Sequence, residues 1–530
     1  MKNMKKITDI TKGLIVALVL SFSVTSCSED IMDSINEDIN HTKSVQAKFI
    51  LADVITSTAF NNIGGDFSTY TSIYVEHEAG THNQMWRAEH RQTEPSASST
   101  FNNVWGTAYS ALRNARIIID KCSTGGPQEG NAVTKGIAEV LAALNSGIIA
   151  DMFGDAPWSE AALINADGTP KNMNPKIDTQ KDIYAGIMKY LDAAIVDLAG
   201  TDAHASGGPG SYDLLYGGNK ANWLKLAWGL KARYTMHLLF RSANVATDMT
   251  NILSYLDKSF TSASNQAAFN TYDASNLNPL FDYQWSRDGL AASKSMSEKL
   301  IERNDPRIRR VFVDPNWMQM EGASDPEFFM APNGLNDEKQ YYYNTSVFVF
   351  SQIAPTMFMS YHEALFLRAE ALCRLNRIPE AQVALKSAVV AGIANTEVSV
   401  AAAMNAPTIL GYGGLGETSA AITTTEAETY FETDVKPLFT ANPIKEVMMQ
   451  KYIAFFGASG ESQESYNDVR RLKAMNQDFI VLKNPLNSTK FPYRCPYGSD
   501  DTLNNPNVET AYGDGTYVYS AKVWWAGGTR

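Results

Sequence analysis

Apolar residues recur at i, i+3, i+4 and i+7 along most of this chain, and that spacing confines it to a mainly α fold. The segments with this period are Val45–Asn61, Phe101–Lys121, Asn131–Met152, Lys181–Leu198, Lys220–Leu239, Thr247–Leu256, Ser293–Glu302, Tyr361–Leu375, Pro379–Val390, Glu426–Phe439 and Pro443–Phe456. Asn376 closes one helix and Pro379 opens the next, at a first helical position where a missing N–H is harmless. Strand signals are few, and Val347–Phe350 is the strongest. Long loops rich in Gly, Pro, Asn and Ser cover 155–179, 200–218, 259–288, 314–344, 403–419 and 484–525. Loops beyond about 15 residues are usually functional or linking. These carry aromatic residues, so they are expected to pack against a scaffold. Tyr361–Leu375 with Pro379–Val390 reads as a helical-repeat hairpin, although no clean repeat period emerges.

The 530 residues are 44% apolar, enough for a large core. Net charge is −12; the four lysines and one aspartate of the first 26 residues contribute +3, leaving −15 on the remainder. An acidic surface repels phosphate backbones, which argues against a nucleic-acid partner. Cys27, Cys122, Cys373 and Cys495 lie far apart, with no zinc spacing. Cys122 and Cys373 fall in helical patterns and read as buried thiols.

The N-terminus reads as an address. Lys2, Lys5, Lys6 and Lys12 precede a short apolar run, Gly13–Val24, too short to span a bilayer. Small residues then lead to Cys27, as in a bacterial lipobox. Residues 1–26 are expected to be a lipoprotein signal peptide, with Cys27 acylated. Acyl chains contribute about 0.8 kcal/mol per buried CH₂, so several on one residue anchor it durably. Residues 27–44 read as an acidic tether, similar to the surface-export signal of Bacteroidetes lipoproteins. Localisation at the outer membrane, facing the exterior, follows as an expectation. No later segment offers 18 continuous apolar residues, so the rest reads as one soluble domain, 45–530.

Catalytic motifs are weak. His77 and His82 are five apart, which turns the second about 140° off the face of the first and spoils a zincin pair. Gly411–Gly416 matches G-x-G-x-x-G, but Pro407 and an alanine-rich stretch precede it where a strand is required. Asp151, Asp155 and Glu160 cluster in sequence and could flank a glycosidic bond. No nucleophile elbow, P-loop or EF-hand loop is present.

Ordered motifs carry a resemblance. After the lipobox come Phe101, Trp105, Tyr109, Leu112 and Ala115; then Asp151-Met-Phe-Gly-Asp-Ala-Pro-Trp-Ser-Glu-Ala161; then Trp223 to Tyr234 and Asn304–Arg307. Glu363, Phe366 and Glu370 follow, then Gln450–Ala454, Glu464, Tyr466, Asp468, Arg470 and Arg471, and finally Phe491–Tyr497. Together they resemble the SusD/RagB family of nutrient-binding outer-membrane lipoproteins, over essentially the whole mature chain. Trp158, where tyrosine is commoner, and Cys495 depart from its pattern. The resemblance implies a helical scaffold with tetratricopeptide-like helix pairs and large irregular loops. It implies a binding protein, not an enzyme, sitting as a hinged lid on a SusC-like TonB-dependent transporter. It also implies that Asp151–Ala161 is a helix-ending turn, that Asp305 and Arg307 form a structural ion pair, and that Asp468, Arg470 and Arg471 pair inside.

Sugar rings need flat aromatic platforms beside polar side chains that satisfy hydroxyls. Loop aromatics next to such groups give the candidates Asn83, Trp86, Arg87, Tyr283, Trp285, Arg287, Trp317 and Tyr342. Trp105, Trp223 and Trp228 lie on apolar helix faces and read as core, and Trp524 and Trp525 as packing. The expected ligand is an oligosaccharide, held with no cofactor; a structural calcium is compatible with the sequence. A peptide ligand is the alternative, and a helical glycoside hydrolase a more distant one. Trp86 and Trp285 sharing one exposed cleft would favour the glycan.

Overall fold

The computed structural model describes residues 45–92, 101–165, 167–204, 208–313, 329–416, 419–512 and 517–530. Cys27, its flanking leader and tether, and Trp317 lie outside these residues. Residues 47–530 form one unit.

Its centre is the helix Ala132–Phe153, buried almost end to end between Asn102–Cys122 and Gln180–Ala199. It is apolar enough to cross a membrane by composition, yet its most apolar window is enclosed by protein. Small residues let its neighbours approach. A Cβ on Gly147 would lie 2.2 Å from the Tyr234 hydroxyl. Gly154, at φ 80°, ends the helix in a conformation that favours glycine. The chain turns there as the sequence implies, and the Tyr109 hydroxyl donates to Pro157 O at 2.7 Å.

Side-chain caps start many helices. Thr179, Asn219, Asn244, Ser293, Ser360, Thr423 and Asn442 each accept a backbone N–H of the first turn. Tyr361–Arg374 packs against Ile378–Met404 as the expected hairpin. The second helix runs well past Val390, because buried Gly392, Ile393, Thr396, Val400 and Ala403 continue the apolar stripe.

Among the described residues, strands are confined to two-stranded ribbons. One pairs Glu78–Gly80 antiparallel with Leu290–Ala292, Glu78 opposite Ala292. Val347–Phe350 is a buried 3₁₀ turn and not the expected strand. A short, wholly apolar run suits either state, and here the paired strand ends one residue earlier, at Ser346. Two stretches read as loop are helical: Asn83–Glu89 and Pro279–Arg287. Trp228 is half-buried at the edge of the core, stacked on Tyr255 with the Lys258 amino group 4.2 Å from its ring centre. Trp105, Trp223 and Trp525 are buried.

Buried ion pairs join distant segments. Arg233 holds Glu363, and Arg307 holds Asp305 at 2.6 Å. Arg471 reaches Glu370 at 2.6 Å and Asp468 at 2.7 Å.

Candidate functional site

The helix Pro279–Arg287 is held at both ends. Asn278 Oδ1 accepts the Leu280 N–H at 3.0 Å, and proline occupies the first turn. Asn278 Nδ2 donates to Ala354 O and Ala458 O at 2.9 and 3.0 Å, tying this end to the scaffold. At the other end Asp288 adopts φ 46°, and its N–H donates to Gln284 O at 2.8 Å. Gln284 Nε2 donates to Asp288 Oδ1 at 2.8 Å.

Leu280, Phe281 and Gln284 face inward, while Asp282, Trp285, Ser286 and Arg287 are exposed. Trp285 is 41% exposed and lies parallel to Phe281, with ring centres 5.7 Å apart and planes 9° apart. This i, i+4 stack fixes the indole from beneath. Tyr412 stands 5.6 Å from it and is itself 59% exposed.

A cleft lies on each side of this helix. The smaller, about 260 Å³, is lined by Trp285, Asp288, Lys339, Tyr341, Tyr343 and Thr345 among others. Burial raises the Asp288 carboxyl above its ordinary range, opposed by a hydrogen bond from the Tyr341 phenol. The Thr345 hydroxyl is buried and without a hydrogen-bond partner. The larger cleft, about 960 Å³, is lined by Tyr283, Arg287, Gln84, Asp66, Asn103 and Thr107 among others. Burial raises Asp66 as well, and the Arg287 charge opposes the rise. Aromatic walls with hydroxyl, amide and carboxylate groups suit a polyhydroxylated ligand.

The candidate residues therefore separate. Tyr283 and Arg287 face the larger cleft and Trp285 the smaller. Tyr342 is exposed near the smaller one, its ring edge-on to Tyr343 at 4.9 Å and 4.5 Å below the Lys339 amino group. Trp86 lines neither. Its Nε1 donates to Asn336 O at 3.1 Å, and its ring packs on His90 at 4.3 Å. Trp86 and Trp285 thus do not share a cleft, so the expected pairing of these two rings as a glycan platform is not met; Tyr412 is the ring beside Trp285 instead. Asn83 opens its own short helix at φ 49° and donates its N–H to Glu338 Oε1 at 3.1 Å; Arg87 is exposed in the last turn of that helix. Tyr341 and Tyr412 were not among the candidates. Tyr412 sits in the glycine-rich 411–416 stretch, and only the folded chain brings it beside Trp285.

The sequence-local carboxylates serve structure. Asp155 Oδ1 accepts the Gln180 N–H at 2.7 Å, and Glu160 Oε2 accepts from Asn172 Nδ2 at 2.9 Å. Asp151 meets His237 and Glu464 in the interior. Among the described residues these three carry donor atoms close enough to share a metal ion. Each is already engaged: His237 Nε2 lies 2.8 Å from Glu464 and Nδ1 lies 3.3 Å from Asp151. Trp525 Nε1 donates to Asp151 at 3.0 Å. Burial lowers the imidazole, but the two carboxylates outweigh it and push His237 up to about 9. A protonated histidine already supplies the cation there.

The comparisons agree with this architecture. A family model for SusD-like proteins, described as starch-binding and associating with the outer membrane, matches residues 39–498. A SusD/RagB family protein from Bacteroides thetaiotaomicron is 52% identical, with a TM-score of 0.86 over 92% of this chain and 100% of that one. A chitin-binding SusD homologue from Flavobacterium johnsoniae is 17% identical, with a TM-score of 0.62 over 90% of this chain and 98% of that one. A SusD-like protein from Bacteroides thetaiotaomicron is 16% identical, with a TM-score of 0.63 over 90% and 98%. A comparison with curated proteins gives no match. Helical scaffold, family match and close structural relative converge: the chain belongs to the SusD-like, or SusD/RagB, family of nutrient-binding proteins of the outer membrane.

Proposed function

We propose that the protein captures an oligosaccharide over the Pro279–Arg287 helix and delivers it to a SusC-like TonB-dependent transporter, acting as that transporter's lid. Cys27 carries the lipid anchor and the domain faces the cell exterior. The observation that carries the ligand reading is the exposed Trp285 indole, backed by Phe281 and bordered by Tyr412, above a pocket with hydroxyl and carboxylate groups. A flat, pre-positioned ring beside polar groups is what a pyranose needs on its C–H face and its hydroxyl rim. The starch-binding description of the family and the chitin-binding relative support a saccharide over a peptide. The role proposed is binding, and the sequence-local carboxylates fit it: Asp151 is enclosed, and Asp155 and Glu160 staple turns.

The test is calorimetry on the mature domain without Cys27, against linear oligosaccharides and peptide digests. Trp285→Ala is expected to weaken saccharide binding by about 1–2 kcal/mol, roughly five- to thirtyfold. Binding of peptides alone, indifferent to Trp285, would replace this reading with a peptide receptor.

A further inference from the structure

We infer that one saccharide chain occupies both clefts at once, crossing the solvent face of the Pro279–Arg287 helix, so that the protein selects oligosaccharides longer than a trisaccharide. The inference rests on the saccharide reading of Trp285. Tyr283 and Arg287 open to one cleft and Trp285 and Asp288 to the other, yet all belong to this helix or its cap. The passage beneath the helix is closed. Thr81 N–H donates to Gly289 O at 2.9 Å, and the Tyr283 hydroxyl crowds Gly289 so closely that a Cβ there would lie 2.3 Å from it. Over the top, Trp285, Ser286 and Arg287 are exposed and form an open ridge.

Size and lining fit two parts of one ligand. The pocket of about 260 Å³ is smaller than a typical drug-sized site, which spans roughly 300–1,000 Å³, and suits a single ring. The cleft of about 960 Å³ holds several. Its wall is rich in neutral hydrogen-bonding groups, among them Asn61, Asn103, Asn276, Thr107 and Gln84. A helix with its side chains is about 10–12 Å across, so a ligand seated in both clefts must extend further than that. Once one end is bound, the second contact is intramolecular, and affinity rises steeply when the ligand is long enough to span.

Gly106 provides the test. It is exposed on Asn102–Cys122, lines the larger cleft, and a Cβ placed on it meets nothing within 4 Å. Gly106→Trp therefore sets a bulky ring at the wall of that cleft, on a Cβ that meets no neighbour. Linear malto- and chito-oligosaccharides of three to seven units would be titrated into the parent, Gly106→Trp and Trp285→Ala, each checked for cooperative unfolding at a melting temperature close to the parent's. The parent should bind one ligand per protein, at least tenfold more tightly for the heptamer than for the trimer. Gly106→Trp should erase that gain and leave the trimer unaffected. Equal affinity for trimer and heptamer, two ligands per protein, or heptamer binding untouched by Gly106→Trp would overturn the inference alone. Absence of saccharide binding, or binding indifferent to Trp285→Ala, would overturn the saccharide reading beneath it.

Discussion

His237 is clamped between Glu464 and Asp151 in the interior, with Tyr184 against the same ring. Its proton is held to about 9, against about 6.5 in the unfolded chain. Because the folded state binds the proton more tightly, the stabilisation is fully present below about pH 6.5. It fades as pH rises through 9. The loss is on the order of 3 kcal/mol across that window. Urea unfolding at pH 6 and at pH 9.5 should show the drop, and His237→Gln should flatten the slope while lowering stability at pH 6. A parent whose stability is level between these values would show that the imidazole is neutral. Sequence alone pointed to none of this, since the three groups stand 86 and 227 positions from one another along the chain and share no motif spacing. Trp86 teaches the same lesson from the other side. A tryptophan beside an arginine and close to Asn83 and Gln84 reads as a ligand platform, but its indole N–H is bonded to Asn336 O.

At the scale of elements, glycines separate crowded helix faces from open ones. Gly186 sits under the Trp158 indole, where a Cβ would come within 2.0 Å of the ring, whereas at Gly106 it would meet open space. Gly186→Ala should destabilise by about 1–3 kcal/mol through overpacking. Gly106→Ala should stabilise by about 0.5–1 kcal/mol through helix propensity. Differential scanning calorimetry of the two variants reads the contrast directly, and equal shifts would refute it. The helix Pro279–Arg287 shows why an element can be hidden. Its cap and first residue, Asn278 and Pro279, are a legible start signal. Its nine residues, however, expose Asp282, Trp285, Ser286 and Arg287 and bury too few apolar groups to display a period. Tertiary anchoring of Asn278 on Ala354 and Ala458, with Gln284 closing the far end on Asp288 and Leu290, makes it a helix. The same hidden element carries the candidate site, and the helical turn of about 100° per residue sends Tyr283 and Trp285 into different clefts.

Across the whole molecule, buried charges bind together segments that lie far apart in the chain. Glu370 accepts from Arg471 at 2.6 Å and pairs with Arg374 at 2.7 Å, and Asp468 pairs with Lys451 at 2.8 Å. Glu370→Ala leaves two guanidinium groups without their buried partner and should cost about 3–5 kcal/mol, measured by denaturant unfolding. A loss below 1 kcal/mol would mean that water or Asp468 takes over the role. The sequence by itself determined the mainly helical scaffold, because a period of 3.6 survives in any helix that buries one face. It also determined the motif order that marks the family, and the turn at Asp151–Ala161. Folding decided which loop aromatics meet. Trp285 acquired Tyr412 and Tyr341 from segments 127 and 56 residues away, while Trp86 acquired Asn336 and His90. A cleft is made by contacts between residues distant in the chain, and local periodicity carries no information about such contacts.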